Sequence, residues 1–125
     1  MGRGSYVSWD KMVELHRFGA YVIDVFPDAL GVYQVGSSLQ RADYRDVDVR
    51  AIFRDEDFER LFGPLTDPRY QNARWNAHCI AWTHFGQSIT GLLIDFQIDQ
   101  MTWANELYPG AGKRNALGRH PGGPA

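Results

Sequence analysis

Residues 30–53 read LGVYQVGSSLQRADYRDVDVRAIF, and this stretch decides what kind of fold the chain can adopt. Leu30 to Val35 is a short apolar run with β-branched Val32 and Val35, the composition of a strand. Gly36-Ser37-Ser38 ends it in a turn. Asp46 to Phe53 then alternates, with Asp46, Asp48 and Arg50 on one face and Val47, Val49 and Ala51 on the other. One face is therefore made for a core and the other for solvent or a ligand.

Upstream, Met12, Leu15, Gly19, Val22 and Phe26 recur at helical spacing. Ser8 is expected to cap this helix, with Asp10 in its first turn, and Pro27 stops it. Downstream, Asp55 to Phe62 reads as a short helix closed by Gly63-Pro64. Pro68 suits the first turn of another helix, whose stripe of Trp75, His78, Cys79, Trp82 and Phe85 ends near Gly86. Leu92 to Ile98 alternates again, placing Asp95 and Gln97 opposite Leu92, Ile94, Phe96 and Ile98. Met101 to Leu107 adds a helical turn or two. This order predicts an α/β or α+β domain, a small mixed sheet of three to four strands covered by helices on one face.

Composition bounds the remaining choices. The chain has 125 residues, enough for one domain, and 44% of them are apolar, enough for a real core. No apolar run approaches the roughly 20 residues that span a bilayer, and the N-terminus lacks a signal-peptide core, so a soluble cytoplasmic protein is expected. The single Cys79 excludes an intrachain disulfide. A formal charge of −2 gives no general signature of nucleic-acid binding. All 15 acidic residues lie at or before Glu106, whereas Lys113, Arg114 and Arg119 lie beyond it. Residues 1–106 are thus expected to form the domain and residues 107–125 a Gly/Pro-rich, basic and solvated tail.

The chemistry concentrates on the acidic strand faces. Asp46 and Asp48, two apart in a strand, project the same way, and Asp95 has the same polarity on its own strand. An Asp-x-Asp alone arises by chance in roughly four of ten chains of this length. Its apolar partners, the Gly-Ser turn ten residues upstream and the third strand with Asp95 raise it above that background. Three converging carboxylates repel unless a cation neutralises them, and hard oxygen donors suit Mg²⁺ or Mn²⁺. A patch of this kind is suited to phosphoryl transfer.

Val35-Gly36-Ser37-Ser38, Asp46-Val47-Asp48-Val49 and Ile94-Asp95-Phe96 together resemble the DNA polymerase beta-like nucleotidyltransferase superfamily in its minimal form, over roughly Leu30 to Ile98. The spacing from Gly36 to Asp46 is slightly tighter than in many members. A second glycine is missing from the turn, and Arg45 stands where a small hydroxyl residue is common. The resemblance implies that Asp46 and Asp48 hold the metals that clamp an NTP. It implies that Asp95 completes the acceptor-side metal site and helps deprotonate the attacking hydroxyl, and that Gly36, Ser37 and Ser38 hold the phosphates. Arg50, on the carboxylate face, is a candidate for triphosphate neutralisation. The function so implied is transfer of NMP from an NTP to a hydroxyl or phosphate acceptor. The alternative is a non-catalytic nucleotide-sensing or protein-interaction module of the same fold.

Other constellations are weaker. His78, Cys79 and His84 share one helix, but His78 and His84 are six apart and nearly opposite, so core packing is expected over zinc. Gly36-Ser37-Ser38 lacks the lysine and spacing of a Walker loop. Without a second domain the site needs walls from elsewhere. A homodimer is therefore expected, with Tyr108 to Arg119 covering the site of its own or the neighbouring subunit.

Overall fold

The computed structural model describes residues 5–64 and 72–118. Pro68 and Arg119 lie outside the described residues. Helix α1 (Trp9–Val25) leads into β1 (Gly31–Val35), a 3-10 turn (Gly36–Leu39) and β2 (Val47–Phe53). Helices α2 (Asp55–Phe62) and α3 (Ala73–Thr90) then return the chain to β3 (Ile94–Gln100). Helix α4 (Met101–Leu107), a second 3-10 turn (Ala111–Lys113) and β4 (Asn115–Ala116) follow. The sheet order is β3-β2-β1-β4. β2 is antiparallel to β1 and parallel to β3, so the sheet is mixed and the fold is α+β. A parallel pair needs a long crossover, which α2 and α3 supply.

The two faces of the sheet separate as the alternation predicts. Val47, Val49, Ala51 and Phe53 on β2 and Ile94, Phe96 and Ile98 on β3 join the main core with Leu15, Phe18 and Val22 of α1 and Trp75 and Cys79 of α3. Phe18 is central, with its ring edge-on to Phe96 at 5.9 Å. Asp48 and Arg50 on β2 and Asp95, Gln97 and Asp99 on β3 occupy the opposite face. That face is not bare. Helix α4 packs on β2 and β3, and Ile52 and Ala104 are buried there outside the main core cluster.

Several local devices differ from expectation. Ser8 stands at the start of α1, but its hydroxyl donates to Asp10 Oδ1 (2.9 Å) and caps no backbone group. α3 runs beyond Gly86 to Thr90 and ends at Gly91, which has φ +71°. Gly86 is instead the point where α1 crosses α3, because a Cβ there would lie 2.9 Å from the Phe18 ring. α3 is capped by Asn72, whose Oδ1 accepts from Trp75 N (2.9 Å) while its amide donates to Phe62 O (2.6 Å). One side chain thus ties the end of α2 to the start of α3.

Residues beyond 106 are built into the fold as far as 118. The expected boundary falls within α4. Asn115 and Ala116 pair with β1, Leu117 N donates to Val32 O (2.8 Å), and the Leu117 side chain enters the core beside Gly19. Glycine and proline content suggested solvation, but one apolar side chain and one strand pairing outweigh it.

β3 is an edge strand, yet the outward backbone groups of Phe96 and Ile98 at its centre are occupied. The Thr83 hydroxyl accepts from Phe96 N (3.0 Å) and faces Phe96 O at 3.4 Å. Trp75 Nε1 donates to Ile98 O (2.8 Å), and the Cys79 sulfur meets the Ile98 amide. Side chains of α3 take the place of a fifth strand. Burial pushes the Cys79 thiol up to about 11, so it stays protonated and inert as a packing group.

Candidate functional site

The acidic site forms where β1 ends and where β2 and β3 begin. Asp48 and Asp95 are register partners on the parallel strands, with side chains on the same face. Val35, the last residue of β1, is the register partner of Asp48 on its other side. The chain therefore turns at Gly36 directly beside the carboxylates. Gly36 has φ +79°, and a Cβ built on it would lie 2.3 Å from Asp48 Oδ2. The glycine meets two demands together, a left-handed turn and room for a carboxylate.

Asp46 precedes the first residue of β2 and is exposed. Among the described residues no three His, Cys, Asp or Glu side chains are gathered into a ready metal cage. What the fold brings together is a pair, Asp48 and Asp95, with Asp46 at the rim. The donor set still suits a hard cation, because Mg²⁺ is commonly held by one or two carboxylates plus phosphate oxygens and water.

Electrostatics marks Asp48 as the strained member. Its half-buried position raises the pKa most, and the charges of Asp95 and Asp46 and a hydrogen bond with Asp95 add to this; Arg50 opposes them. A carboxyl whose folded pKa lies above its unfolded value favours the fold in acid. That contribution is full below the unfolded pKa and is lost as pH rises through the folded one. At neutral pH Asp48 therefore works against the fold, as a group kept for charge rather than for stability would.

Arg50 lies beneath this pair, only 6% exposed. Its Nη1 donates to Asp95 O (2.7 Å) and Val49 O (3.1 Å). Nη2 stands 3.7 Å from Asp95 Oδ2 and Nε 3.9 Å from Asp99 Oδ2. Burial opposes its charge, but Tyr108, Asp99, Asp95 and Asp48 outweigh that and raise the pKa. The geometry makes it the counter-ion and positioner of the carboxylates.

The turn splits its three candidates. Gly36 and Ser37 are half-buried, whereas Ser38 is buried and its hydroxyl accepts from Gln34 Nε2 (2.9 Å). Gln34 is a residue the sequence reading missed. It is fully buried on the core side and also donates to Ser5 Oγ (2.8 Å) and accepts from Asn115 Nδ2 (3.0 Å). One amide thus pins the Gly-Ser turn to both ends of the described chain. Its signal was a lone polar residue inside GVYQV, just before the turn. The face of Asp99 was open to reading too, since it shares the parity of Asp95 and Gln97, but its burial was not.

A cavity of about 230 Å³ opens beside Asp95 between α3 and β3. Trp75, Cys79 and Phe96 line it together with Asn76, His84 and Gln97. His78 points elsewhere, packing against Phe26 and Phe62 at 5.6 and 5.7 Å, so His78 and His84 do not converge on a metal. Among the described residues no helix is long and apolar enough to cross a membrane. Comparison with protein-family models, curated proteins and solved structures returns no match.

Proposed function

We propose that the chain is a nucleotidyltransferase that moves NMP from an NTP to a hydroxyl or phosphate acceptor, dependent on Mg²⁺ or Mn²⁺. The observation that carries this reading is the Asp48–Asp95 pair across two parallel strands, with Gly36 reduced to a hydrogen so that Asp48 can lie over the turn. Asp48 and Asp95, with Asp46 at the rim, would hold the cation, which neutralises phosphate charge and lowers the pKa of the attacking group. Gly36 and Ser37 border the same spot and suit phosphate oxygens. Asp95, half-exposed between Asp48 and the cavity, would take the acceptor's proton. The acceptor oxygen bonds to the α-phosphorus as the bond to the bridging oxygen breaks, and that electron pair leaves with pyrophosphate. Arg50 holds Asp95 through both its carbonyl and its carboxylate.

Asp48→Asn tests the reading. Incubated with labelled NTPs, Mg²⁺ and a cell extract, the parent should label an acceptor and release pyrophosphate. The variant should do so at least about 100-fold more slowly, the scale on which a single charge-stabilising group acts. The same variant should melt at a higher temperature than the parent at neutral pH, and this gap should close on acidification through the carboxylate range. An Asn variant that transfers label as fast as the parent would sink the assignment. Metal-dependent nucleotide binding by the parent, with neither labelled product nor pyrophosphate, would favour the nucleotide-sensing alternative.

A further inference from the structure

We propose that Arg114, Tyr33 and Asn105 form an anion subsite that receives the phosphate groups of a nucleotide. It rests on the reading above for the identity of the ligand, though not for the existence of the subsite.

Tyr33 is the register partner of Arg50, and so its side chain stands on the carboxylate face, one strand over from Asp48 and two residues along from Val35. Strand geometry puts the Cα atoms of Tyr33 and Asp48 about 8 Å apart, and the Tyr33 ring leans over Gly31, toward the far end of β1 from Asp48. The guanidinium of Arg114 lies over the Tyr33 ring, 5.5 Å from its centroid. Arg114 Nε donates to Tyr108 O (2.9 Å) and Nη2 to Asn105 Oδ1 (2.8 Å). These contacts leave Nη1 unused. A cavity of about 360 Å³ opens at this cluster, lined by Tyr33, Asn105, Gly110, Arg114 and Ala116.

The three partners of Arg114 are a ring, a carbonyl and an amide, all of them neutral. Among the described residues no carboxylate lies within ion-pair distance of it, a lack it shares with Arg45, Arg54 and Arg74; what sets it apart is the cavity at this cluster. A long side chain is thus ordered by three contacts while its charge stays uncompensated, at the mouth of a cavity. The ordering entropy is already met in the free protein, and a planar fork with an open edge matches phosphate oxygens. The sheet face then carries carboxylates at one end and a fixed cation at the other, a pattern that complements a metal-bound polyphosphate.

The test needs no catalysis and no metal. The full chain, labelled with ¹⁵N, is titrated with inorganic tripolyphosphate in the absence of divalent ions. Resonances of Arg114 Nε and of the Ala116 amide should shift, and a nucleoside without phosphate should leave them in place. Arg114→Gln should weaken tripolyphosphate at least tenfold, with Arg114→Lys in between because it keeps charge but not the fork. Asp48→Asn should bind the metal-free anion as well as the parent or better, since it removes a nearby negative charge. Shifts confined to Gly36–Ser38, or an Arg114→Gln variant with the parent's affinity, would overturn the subsite while leaving the carboxylate assignment standing. Loss of binding in Arg114→Gln alongside undiminished transfer by Asp48→Asn would sink the carboxylate assignment and keep the subsite.

Discussion

Replacing Arg50 by methionine is expected to destabilise the fold by about 3–5 kcal/mol, the range seen when one partner of a buried ion pair is removed. Methionine fills much of the same volume, so the loss is electrostatic rather than a cavity effect. The guanidinium is the positive charge shared by Asp95 and by Asp99, which is only 1% exposed. Without it, Asp99 loses the cation that stands 3.9 Å from its Oδ2. Urea denaturation should therefore show a smaller penalty in acid than at neutral pH. Adding Asp99→Asn should recover a large part of the loss, because the buried carboxylate that faced the guanidinium goes with it. A penalty below about 1 kcal/mol, unchanged by Asp99→Asn, would mean that the pair is incidental to stability.

Gly36→Ala is expected to be harmful in two separable ways. Holding an alanine at the left-handed φ of this turn costs about 1–3 kcal/mol. The added methyl would also need the space of Asp48 Oδ2, so the carboxylate must swing away from the turn. Equilibrium unfolding reports both effects together. Repeating the substitution in an Asp48→Ala background removes the collision and leaves only the backbone strain. The difference between the two backgrounds measures how tightly the turn and the carboxylate are fitted. On the proposed function, nucleotide binding should also fall with Gly36→Ala, since a carboxylate oxygen proposed to hold the cation is displaced. Equal penalties in both backgrounds would show that Asp48 does not occupy the position described.

Much of this arrangement was legible because alternation is a local property. Asp46, Asp48 and Arg50 could be assigned to one face, and Asp95 to the same face of another strand, without knowing how the strands pair. α2, from Asp55 to Phe62, is bounded as expected because three acids open it and Gly63 closes it. What stayed hidden depends on distant partners. Gly86 looks like a helix end until Phe18, 68 positions earlier in the chain, is found packed over it. Leu117 lies in a stretch whose composition suggests solvent, and only the groove beside Gly19 explains its burial. Arg50 reads as a surface cation until α4 is folded across that side of the sheet. Asp99 and Gln34 are polar residues at buried positions, and burial of that sort follows from tertiary neighbours rather than from spacing.

The closure of β3 bears on how the protein behaves when concentrated. An unpaired strand edge is a template for the next molecule, and proteins that leave one open tend to aggregate. Thr83, Trp75 and Cys79 occupy the outward groups of Phe96 and Ile98 with side chains, so this edge offers an incoming strand little to pair with. The opposite edge is only two residues of β4, too short to seed much pairing. Damage to the α3 stripe would therefore surface first as turbidity and poor yield, before any change in chemistry could be assayed. Selection for clear, monodisperse stocks would act on side chains of α3 rather than on the carboxylates themselves.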